Sequence, residues 1–262
     1  MRLSEFGRRF AGESGIVDLM ADLGSALQDN PEMIFMGGGN PGRLPEVEAV
    51  FRQQLEGILA DPDRLHKLLG VYQSPQGDRA FRRGLARYLR AECGWALSEE
   101  NIAVCNGSQS AFFLLFNMLA GEMPDGSSRR IHLPVAPEYM GYGGVGLSGE
   151  LFSATRPNID RLDADLFKYR VDFSGLRPGA DIGALCVSRP SNPTGNVLTD
   201  NEVEHLDAIA READVPLIID GAYGMPFPAI QFERVRPFWN DNTVLVLSLS
   251  KLGLPGVRTG VI

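Results

Sequence analysis

One segment decides how the fold is interpreted: Ser248-Leu249-Ser250-Lys251-Leu252-Gly253-Leu254-Pro255-Gly256-Val257-Arg258-Thr259-Gly260. The preceding run at 243–247, Thr-Val-Leu-Val-Leu, is β-branched and leucine-rich, and its length predicts a buried strand. Lys251 is therefore expected at a strand end. Burial or a nearby cation lowers the pKa of a lysine and favours a neutral amine, which can form a Schiff base with an aldehyde. The alternative is a solvated lysine in a Gly/Pro loop.

The residues around Lys251 also suit a bound phosphate. Ser248 and Ser250 precede the lysine and Arg258 follows it, which would place hydroxyl and guanidinium donors beside the amine. Pyridoxal phosphate is a small molecule that carries both an aldehyde and a phosphate, and it requires a lysine and a partner for its pyridine nitrogen. The segment alone leaves this cofactor site and the solvated lysine about equally open.

The composition is that of an ordinary globular protein. The 262 residues are 44% apolar and 8% aromatic, and this length fits one large α/β domain or two small ones. A formal net charge of −8 opposes binding to nucleic-acid phosphates. We find no apolar leader and no run long enough to cross a bilayer, so no membrane partner is predicted.

The cysteines and histidines lack the spacing of a metal site. Cys93, Cys105 and Cys186 are odd in number and far apart, so buried free thiols are expected rather than disulfides or metal ligands. No metal is predicted, and free thiols fit a reducing cytoplasm.

Alternating apolar strands and amphipathic helices predict a mostly parallel sheet with helices on both faces. The predicted strands cover 102–105, 131–135, 183–187, 215–219 and 243–247, and the predicted helices cover about 15–29, 45–60, 78–92, 110–119 and 200–213. Ligands on such sheets bind at the carboxyl ends of the strands, so the turns that follow the strands are the candidate site.

One of these turns predicts an anion site. Gly107, Ser108 and Gln109 lie between a strand and a helix, whose first N–H groups lack intrahelical partners and can bind a phosphate. An ordinary turn capped by Ser108 or Asn106 is the alternative.

Two further turns place polar side chains at the same edge. Asp220 follows one strand, and a carboxylate beside a pyridine nitrogen favours its protonated form. Tyr223 and Asn192 can both hydrogen-bond the phenolate oxygen of the ring. The co-occurrence of these groups with Lys251 favours one site.

A dinucleotide-binding site is not expected, although 141–146 reads G-x-G-x-x-G. Pro134 and Pro137 interrupt the approach to this segment, and the residues after it are a poor helix start. We expect a glycine-rich turn or a helix entry after Tyr139.

Taken in order, these motifs resemble those of the fold-type I pyridoxal-phosphate enzymes, the aspartate aminotransferase-like family. Within it they are similar to the valine–pyruvate branch. The phrases that carry the resemblance are Gly37-Gly38-Gly39-Asn40-Pro41, Asn106-Gly107-Ser108-Gln109-Ser110-Ala111-Phe112-Phe113, Ala136-Pro137-Glu138-Tyr139, Arg189-Pro190-Ser191-Asn192-Pro193-Thr194-Gly195-Asn196 and Ser248-Leu249-Ser250-Lys251-Leu252-Gly253-Leu254-Pro255-Gly256.

The resemblance implies a role for each matching residue. Lys251 would bond the cofactor and move the substrate proton, with Asp220 at the pyridine nitrogen. Asn192 and Tyr223 would hold the phenolate oxygen, and Tyr139 would stack on the ring. The implied phosphate ligands are Gly107, Ser108, Gln109, Ser248, Ser250 and Arg258.

The substrate and subunit contacts are implied in the same way. Gly39 and Asn192 would meet the substrate, and Tyr72 would reach the phosphate of a neighbouring subunit in a homodimer. Arg258 lies seven positions after Lys251, against eight in much of the family. The shorter loop suits the valine–pyruvate branch.

The resemblance also implies the domain organisation and the activity. Residues 1–45 would form an N-terminal arm and part of a small domain, and 46–262 the cofactor-binding large domain. The family's C-terminal part, with an arginine that grips the substrate carboxylate, has no match here, so we expect a fragment. The implied reaction moves the amino group of valine, or of a similar small aliphatic amino acid, to pyruvate, giving alanine and 2-oxoisovalerate. A carbon–sulfur lyase on the same fold and an inactive cofactor-binding fragment are the alternatives.

Overall fold

The computed structural model describes residues 2–12, 22, 25–26, 29–34 and 39–262. The helices there are α1 (Glu5–Phe10), α2 (Pro45–Leu59), α3 (Pro62–Gly70), α4 (Arg79–Cys93), α5 (Ser108–Leu119) and α6 (Asp200–Glu212). The strands are β1 (Val104–Cys105), β2 (Gly121–Glu122), β3 (Ser128–Leu133), β4 (Phe152–Ala154), β5 (Asn158–Arg161), β6 (Phe167–Arg170), β7 (Ile182–Ser188), β8 (Leu217–Asp220), β9 (Thr243–Ser248) and β10 (Gly260–Val261). Most of the helix predicted at about 15–29 lies outside the described residues, as do Gly37 and Gly38.

Eight strands form one mixed sheet in the order β1-β10-β9-β8-β7-β3-β2, with β4 also paired to β3. The central strands β3, β4, β7, β8 and β9 are parallel. The pairs β1–β10, β10–β9 and β2–β3 are antiparallel, and β5 and β6 form a separate hairpin. The predicted mostly parallel sheet is confirmed.

Helices cover both faces of the sheet because side chains alternate along each central strand. On one face, Leu185 of β7 packs in a core that includes Leu206 of α6. On the other, Cys186 packs in a core that includes Phe112 of α5. A third cluster joins α4 to the ends of β9 and β10. The carboxyl ends of the strands are therefore fixed from both sides.

The helices differ in which groups accept hydrogen bonds from their first backbone N–H groups. At the start of α6, Thr199 and Glu202 form a reciprocal capping box. At the start of α4, the Asp78 carboxylate accepts a hydrogen bond from the N–H of Phe81 at 2.8 Å. No side chain caps α5, whose N-cap residue is Gly107 at φ +85°. The first N–H groups of α5 thus suit a different acceptor.

The strand predicted over 102–105 is shorter than expected. Only Val104 and Cys105 are in strand geometry, partly buried and antiparallel to β10. Ala103 still exchanges two backbone hydrogen bonds with Ile262, but the N–H of Val104 donates to the carbonyl of Gln76 at 2.9 Å. A loop therefore covers this edge where a further strand could have paired.

Two helix predictions also need correction. Helix α5 begins at Ser108 rather than at 110. Helix α3 was not predicted, although Asp61 accepts hydrogen bonds from the N–H groups of Asp63 and Arg64 and Pro62 opens the helix. An N-cap aspartate followed by proline was the signal that the sequence offered.

The helix predicted over 45–60 is confirmed as α2, but most of its apolar side chains are exposed. No residue of α2 or α3 is buried. The exposed apolar side chains include Val50, Leu55, Leu59, Leu68 and Leu69.

At the N-terminus, α1 packs against α5 and the loop before β4. The rings of Phe6 and Phe113 lie 6.5 Å apart, and Arg9 donates a hydrogen bond to the carbonyl of Gly146 at 3.1 Å. The domain boundary at residue 45 stays a prediction.

All three cysteines are free, with Cys186 buried and the other two partly buried. Within the described ranges, no helix has the length and apolarity needed to cross a membrane.

Candidate functional site

The register of the parallel strands brings the predicted site residues to one edge. Ser188 of β7 is the partner of Asp220 of β8, which in turn is the partner of Val246 of β9. Strand β9 ends two residues later at Ser248, and Lys251 lies in the turn that follows. The three strand ends therefore coincide.

Asp220 is a buried carboxylate whose partners are neutral. It is 6% exposed, and it accepts hydrogen bonds from the hydroxyl of Tyr142 at 2.7 Å and from the N–H of Ala222 at 2.9 Å. Burial raises the pKa of Asp220, and these two hydrogen bonds oppose that rise. No described residue supplies a cation to it. Because an unpaired buried charge is costly, a cationic ligand group would be stabilised here.

Lys251 is half-buried and points across the site. Its Nζ donates a hydrogen bond to the carbonyl of Gly39 and lies 5.3 Å from the centroid of the Tyr223 ring. Burial lowers the pKa of Lys251. A Cβ at Gly39 would lie only 3.0 Å from Nζ, so glycine permits this approach. Gly39, Lys251 and Tyr223 are thus brought together.

Electrostatic effects place Asn192 and Tyr139 in the same cluster. Burial and the charge of Asp220 raise the pKa of Tyr223, and a hydrogen bond with the Asn192 side chain opposes the rise. Burial also raises the pKa of Tyr139; the charges of Asp220 and Tyr223 add to this, while Arg258 opposes it. Tyr139 is therefore close enough to Asp220 and Arg258 for their charges to affect its pKa.

The Tyr139 ring is held in place by its neighbours. It meets the Tyr142 ring edge-on, with the centroids 5.5 Å apart. A Cβ at Gly141 would lie 2.3 Å from the Tyr139 ring, so only glycine fits beneath it. The side-chain amide of Gln109 donates to the carbonyl of Gly141 at 2.7 Å. Gln109 thus fixes the turn that carries Tyr139.

An anion-binding arrangement lies at the start of α5. A Cβ at Gly107 would come within 2.6 Å of Nη2 of Arg258, so the guanidinium rests against the turn before Ser108. Arg258 itself has a left-handed backbone (φ +49°) and is exposed. An anion here would meet both the uncapped helix N-terminus and the guanidinium.

Pairing of β9 with β10 brings Ser248 to this arrangement. Ser248 is the partner of Gly260, where a Cβ would lie 2.6 Å from the backbone nitrogen of Ser108. The Ser248 hydroxyl oxygen accepts a hydrogen bond from the N–H of Ser250 at 3.1 Å. Ser248 therefore lies close to the start of α5, and Ser250 is hydrogen-bonded to it.

Tyr72 is not part of the cluster. It follows α3, and its side chain is fully exposed. The predicted contact of Tyr72 with the phosphate of a second subunit stays a prediction.

Sequence reasoning missed three residues that support Asp220. The hydroxyl of Tyr142, buried at 2% exposure, lies 3.2 Å from Oγ of Ser188 as well as 2.7 Å from Asp220. Glu138 accepts hydrogen bonds from the N–H of Ser188 at 2.8 Å and from its Oγ at 2.5 Å. Burial, together with the nearby charge of Asp220, raises the pKa of Glu138 to about 7.

The available signal for Tyr142 was its position three residues after Tyr139. It closes a 3₁₀ turn at Met140–Tyr142, inside the glycine-rich segment that was rejected as a dinucleotide motif. The prediction of a turn after Tyr139 is confirmed.

The arrangement fits pyridoxal phosphate at three separate points. Asp220 suits a protonated ring nitrogen, the Gly107–Arg258 arrangement suits a phosphate, and the half-buried amine of Lys251, beside the Tyr223 ring, suits an aldehyde. The residues present therefore match the requirements of this cofactor for a lysine, a partner for the pyridine nitrogen and an anion site.

Comparison with known proteins gives consistent matches. Residues 159–262 match the family described as Aminotransferase class I and II. The whole chain is 49% identical to a valine–pyruvate aminotransferase from Escherichia coli (strain K12), over 62% of that protein.

Solved structures give the same result. A candidate amino-acid aminotransferase from Psychrobacter arcticum 273-4 has a TM-score of 0.92 at 44% identity, over all of this chain and 64% of that one. A valine–pyruvate aminotransferase from Salmonella typhimurium LT2 has a TM-score of 0.80 at 45% identity, over 94% of this chain and 60% of that one. The chain therefore spans about three-fifths of these relatives and has the fold of fold-type I aminotransferases.

Proposed function

Since the chain belongs to the class I and II aminotransferase family, we propose that the protein carrying it transfers the amino group of valine, or of a similar small aliphatic amino acid, to pyruvate. The products are alanine and 2-oxoisovalerate, formed in two half-reactions. The 49% identity to a valine–pyruvate aminotransferase over the whole chain supports this substrate pair. The same identity favours a transferase over the carbon–sulfur lyase.

The observation that carries the cofactor assignment is the buried Asp220 carboxylate, which shares one strand-end edge with the half-buried Lys251. Class I and II aminotransferases in general use pyridoxal phosphate, which when bound takes up electron density from the substrate Cα and carries the amino group between substrates. Asp220 holds the proton of the ring nitrogen, because an opposite charge stabilises the cation. Lys251, whose neutral form is favoured by burial, takes and returns the proton at the substrate Cα.

The remaining residues orient the ring and bind its substituents. Tyr139 provides an aromatic face, held from below by the close fit at Gly141. Tyr223 and Asn192 hydrogen-bond the phenolate oxygen. The phosphate is bound by Gly107, Ser108, Gln109, Ser248, Ser250 and Arg258, and Gly39 meets the substrate carboxylate beside Lys251.

The subunit arrangement and the location belong to the same proposal. The exposed apolar side chains of α2 and α3 and the fully exposed Tyr72 support a homodimer in which Tyr72 reaches the neighbouring phosphate. The free thiols support a cytoplasmic location.

The test measures alanine formed from valine and pyruvate by the pyridoxal-phosphate-loaded protein, with Lys251→Ala and Lys251→Arg alongside. We expect alanine from the unaltered protein and almost none from either variant, because arginine keeps the charge but cannot bond the aldehyde. Near-normal turnover by a Lys251 variant would refute the assignment. Pyruvate released from cystathionine without a keto-acid acceptor would select the lyase instead.

A further inference from the structure

A chain of hydrogen bonds connects Glu138 to Asp220 across the end of β7. Glu138 meets the hydroxyl of Ser188 at 2.5 Å, Ser188 Oγ lies 3.2 Å from the hydroxyl of Tyr142, and Tyr142 lies 2.7 Å from Asp220. The N–H of Ser188 donates to the other oxygen of Glu138 at 2.8 Å, which fixes that carboxyl in place. Two acidic side chains are thus linked through two hydroxyl groups.

The number of hydrogens in this chain depends on the protonation of Glu138. An ionised carboxylate only accepts, so the single hydroxyl hydrogen of Ser188 must then go to Glu138. Ser188 can in that case only accept from Tyr142, in competition with Asp220. When Glu138 is protonated, it can donate to Ser188, which frees the Ser188 hydrogen for the oxygen of Tyr142. The Tyr142 hydrogen is then left for Asp220.

We propose that protonated Glu138 is a positioning residue: through Ser188 and Tyr142 it directs successive hydroxyl hydrogens towards Asp220 and keeps Asp220 the ionised member of the pair. This inference rests on the proposed function, which requires an ionised Asp220 at the ring nitrogen. Glu138 touches neither substrate nor cofactor in this scheme. It acts by fixing the direction of the hydrogen bonds.

The charges around Glu138 favour its protonated form. The titratable groups of the described chain that interact with it are Asp220 on β8, Tyr142 in the 3₁₀ turn and Cys186 on β7, all of them acids. Burial and the charge of Asp220 raise the pKa of Glu138, whereas the Tyr142 hydrogen bond opposes the rise at Asp220. The pair therefore keeps its proton on Glu138 and its charge on Asp220.

The experiment compares two neutral replacements of Glu138 in the cofactor-free protein. Glu138→Gln keeps an N–H that donates to Ser188, whereas Glu138→Met is similar in size and donates nothing. Because both lack charge, a difference between them reports the hydrogen bonds made by the side chain at 138, and combination with Tyr142→Phe isolates the part that passes through the donor chain. The pKa of Asp220 is measured by NMR of ¹³C-carboxyl-labelled aspartate, with Asp220→Asn identifying the resonance.

We expect the pKa of Asp220 to be lower with glutamine at 138 than with methionine, by about one unit. Combining each variant with Tyr142→Phe removes the hydroxyl next to Asp220 and should abolish the difference. Equal pKa values in Glu138→Gln and Glu138→Met, or a difference that survives Tyr142→Phe, would overturn the proposal.

Glu202 provides the matched control for general effects of replacing a buried glutamate. Its carboxylate also accepts hydrogen bonds from a hydroxyl and a backbone N–H, those of Thr199, but at the start of α6 away from Asp220. Glu202→Gln and Glu202→Met should leave the pKa of Asp220 unchanged. A shift as large as that between the Glu138 variants would mean that loss of packing alone moves it, and would overturn the proposal.

Cofactor affinity distinguishes failure of the positioning role from failure of the proposed function. In a pyridoxal-phosphate titration followed by absorbance, Glu138→Gln should bind about tenfold more tightly than Glu138→Met, since a donated hydrogen bond stabilises the ionised acid. Equal affinities would overturn the positioning role. If the Asp220 pKa difference is found in a protein that binds no pyridoxal phosphate, the proposed function fails and the donor chain stands.

Discussion

The two ends of the candidate site are built in opposite ways. The acid end, formed by Asp220, Tyr142, Ser188 and Glu138, lies against the sheet core, and its side chains hydrogen-bond one another. The anion end, formed by residues 107–109 and Arg258, consists of an uncapped helix N-terminus and an exposed guanidinium. One end is a side-chain network, whereas the other depends mainly on backbone.

The difference shows where each kind of interaction is effective. A protonated ring nitrogen is stabilised by one negative charge held at a fixed position. Burial strengthens this interaction because little water screens it. A phosphate carries several acceptor oxygens, which backbone N–H groups and a flexible arginine can satisfy near solvent. Substitutions at the acid end should therefore alter chemistry and stability, and those at the anion end mainly affinity.

Loss of Lys251, which belongs to neither end, should have the largest effect of all. Lys251→Ala should lower the rate of alanine formation by about 10⁴-fold or more, since a residue that both bonds and moves protons cannot be replaced by solvent. Steady-state assays with saturating cofactor measure this. A loss below about tenfold would mean that Lys251 does not bond the cofactor and move the substrate proton.

Asp220→Asn tests the acid end with little change of shape. We expect the single-turnover rate with valine to fall by about 10²- to 10³-fold, because the charge that stabilises the protonated ring nitrogen is gone. Asp172→Asn, at an exposed turn where the carboxylate accepts from the N–H of Ser174, is the control and should leave the rate unchanged. An unchanged rate in Asp220→Asn would argue against a special role for the acid end.

The acid end should also make stability depend on pH. The pKa of Glu138 is about 7 in the folded protein against an ordinary 4.5, so the folded form binds this proton more tightly. Its contribution to the free energy of unfolding is complete below pH 4.5 and is lost as the pH rises through 7.

Glu138→Gln does not titrate and isolates that contribution. Between pH 4.5 and 8, the free energy of unfolding of the unaltered protein should fall relative to that of the variant by up to roughly 3 kcal/mol. Urea unfolding of both proteins at the two pH values measures it. A difference that stays constant with pH would contradict the assignment of this proton to Glu138.

The anion end should show the smallest effect. Arg258→Ala should weaken pyridoxal phosphate binding about tenfold, an effect reduced by added salt because the side chain is exposed. Binding of pyridoxal, which lacks the phosphate, should not change. Arg83→Ala, which removes an exposed ion pair with Glu99, is the control. Equal losses for the two ligands would mean that Arg258 does not meet the phosphate.

The difference between the two ends also explains which parts of the site could be predicted from the sequence. Asp220 and Lys251 were predictable as a pair because each lies at or shortly after the end of an apolar strand, and parallel strands end at one edge. The turn at Gly107 was also predictable from local sequence, but whether a side chain would cap the following helix was left open until the structure showed that none does. Both ends were therefore located in outline.

The donor chain was not predictable, because its members come together only through tertiary register. Ser188 and Asp220 become neighbours by the pairing of β7 with β8, and Tyr142 reaches them only after the turn at Met140–Tyr142. The antiparallel insertion of β10 between β1 and β9 is a further case, since a two-residue strand has too little pattern to reveal its partners.

The most direct test of a single cofactor spanning both ends is a crystal structure of the protein soaked with pyridoxal phosphate. We expect the ring nitrogen within hydrogen-bond distance of the Asp220 carboxylate, the phosphate at the first turn of α5 beside Arg258, and the aldehyde carbon bonded to Nζ of Lys251. A ring whose nitrogen points away from Asp220, or a phosphate bound elsewhere, would contradict the assignment of the two ends.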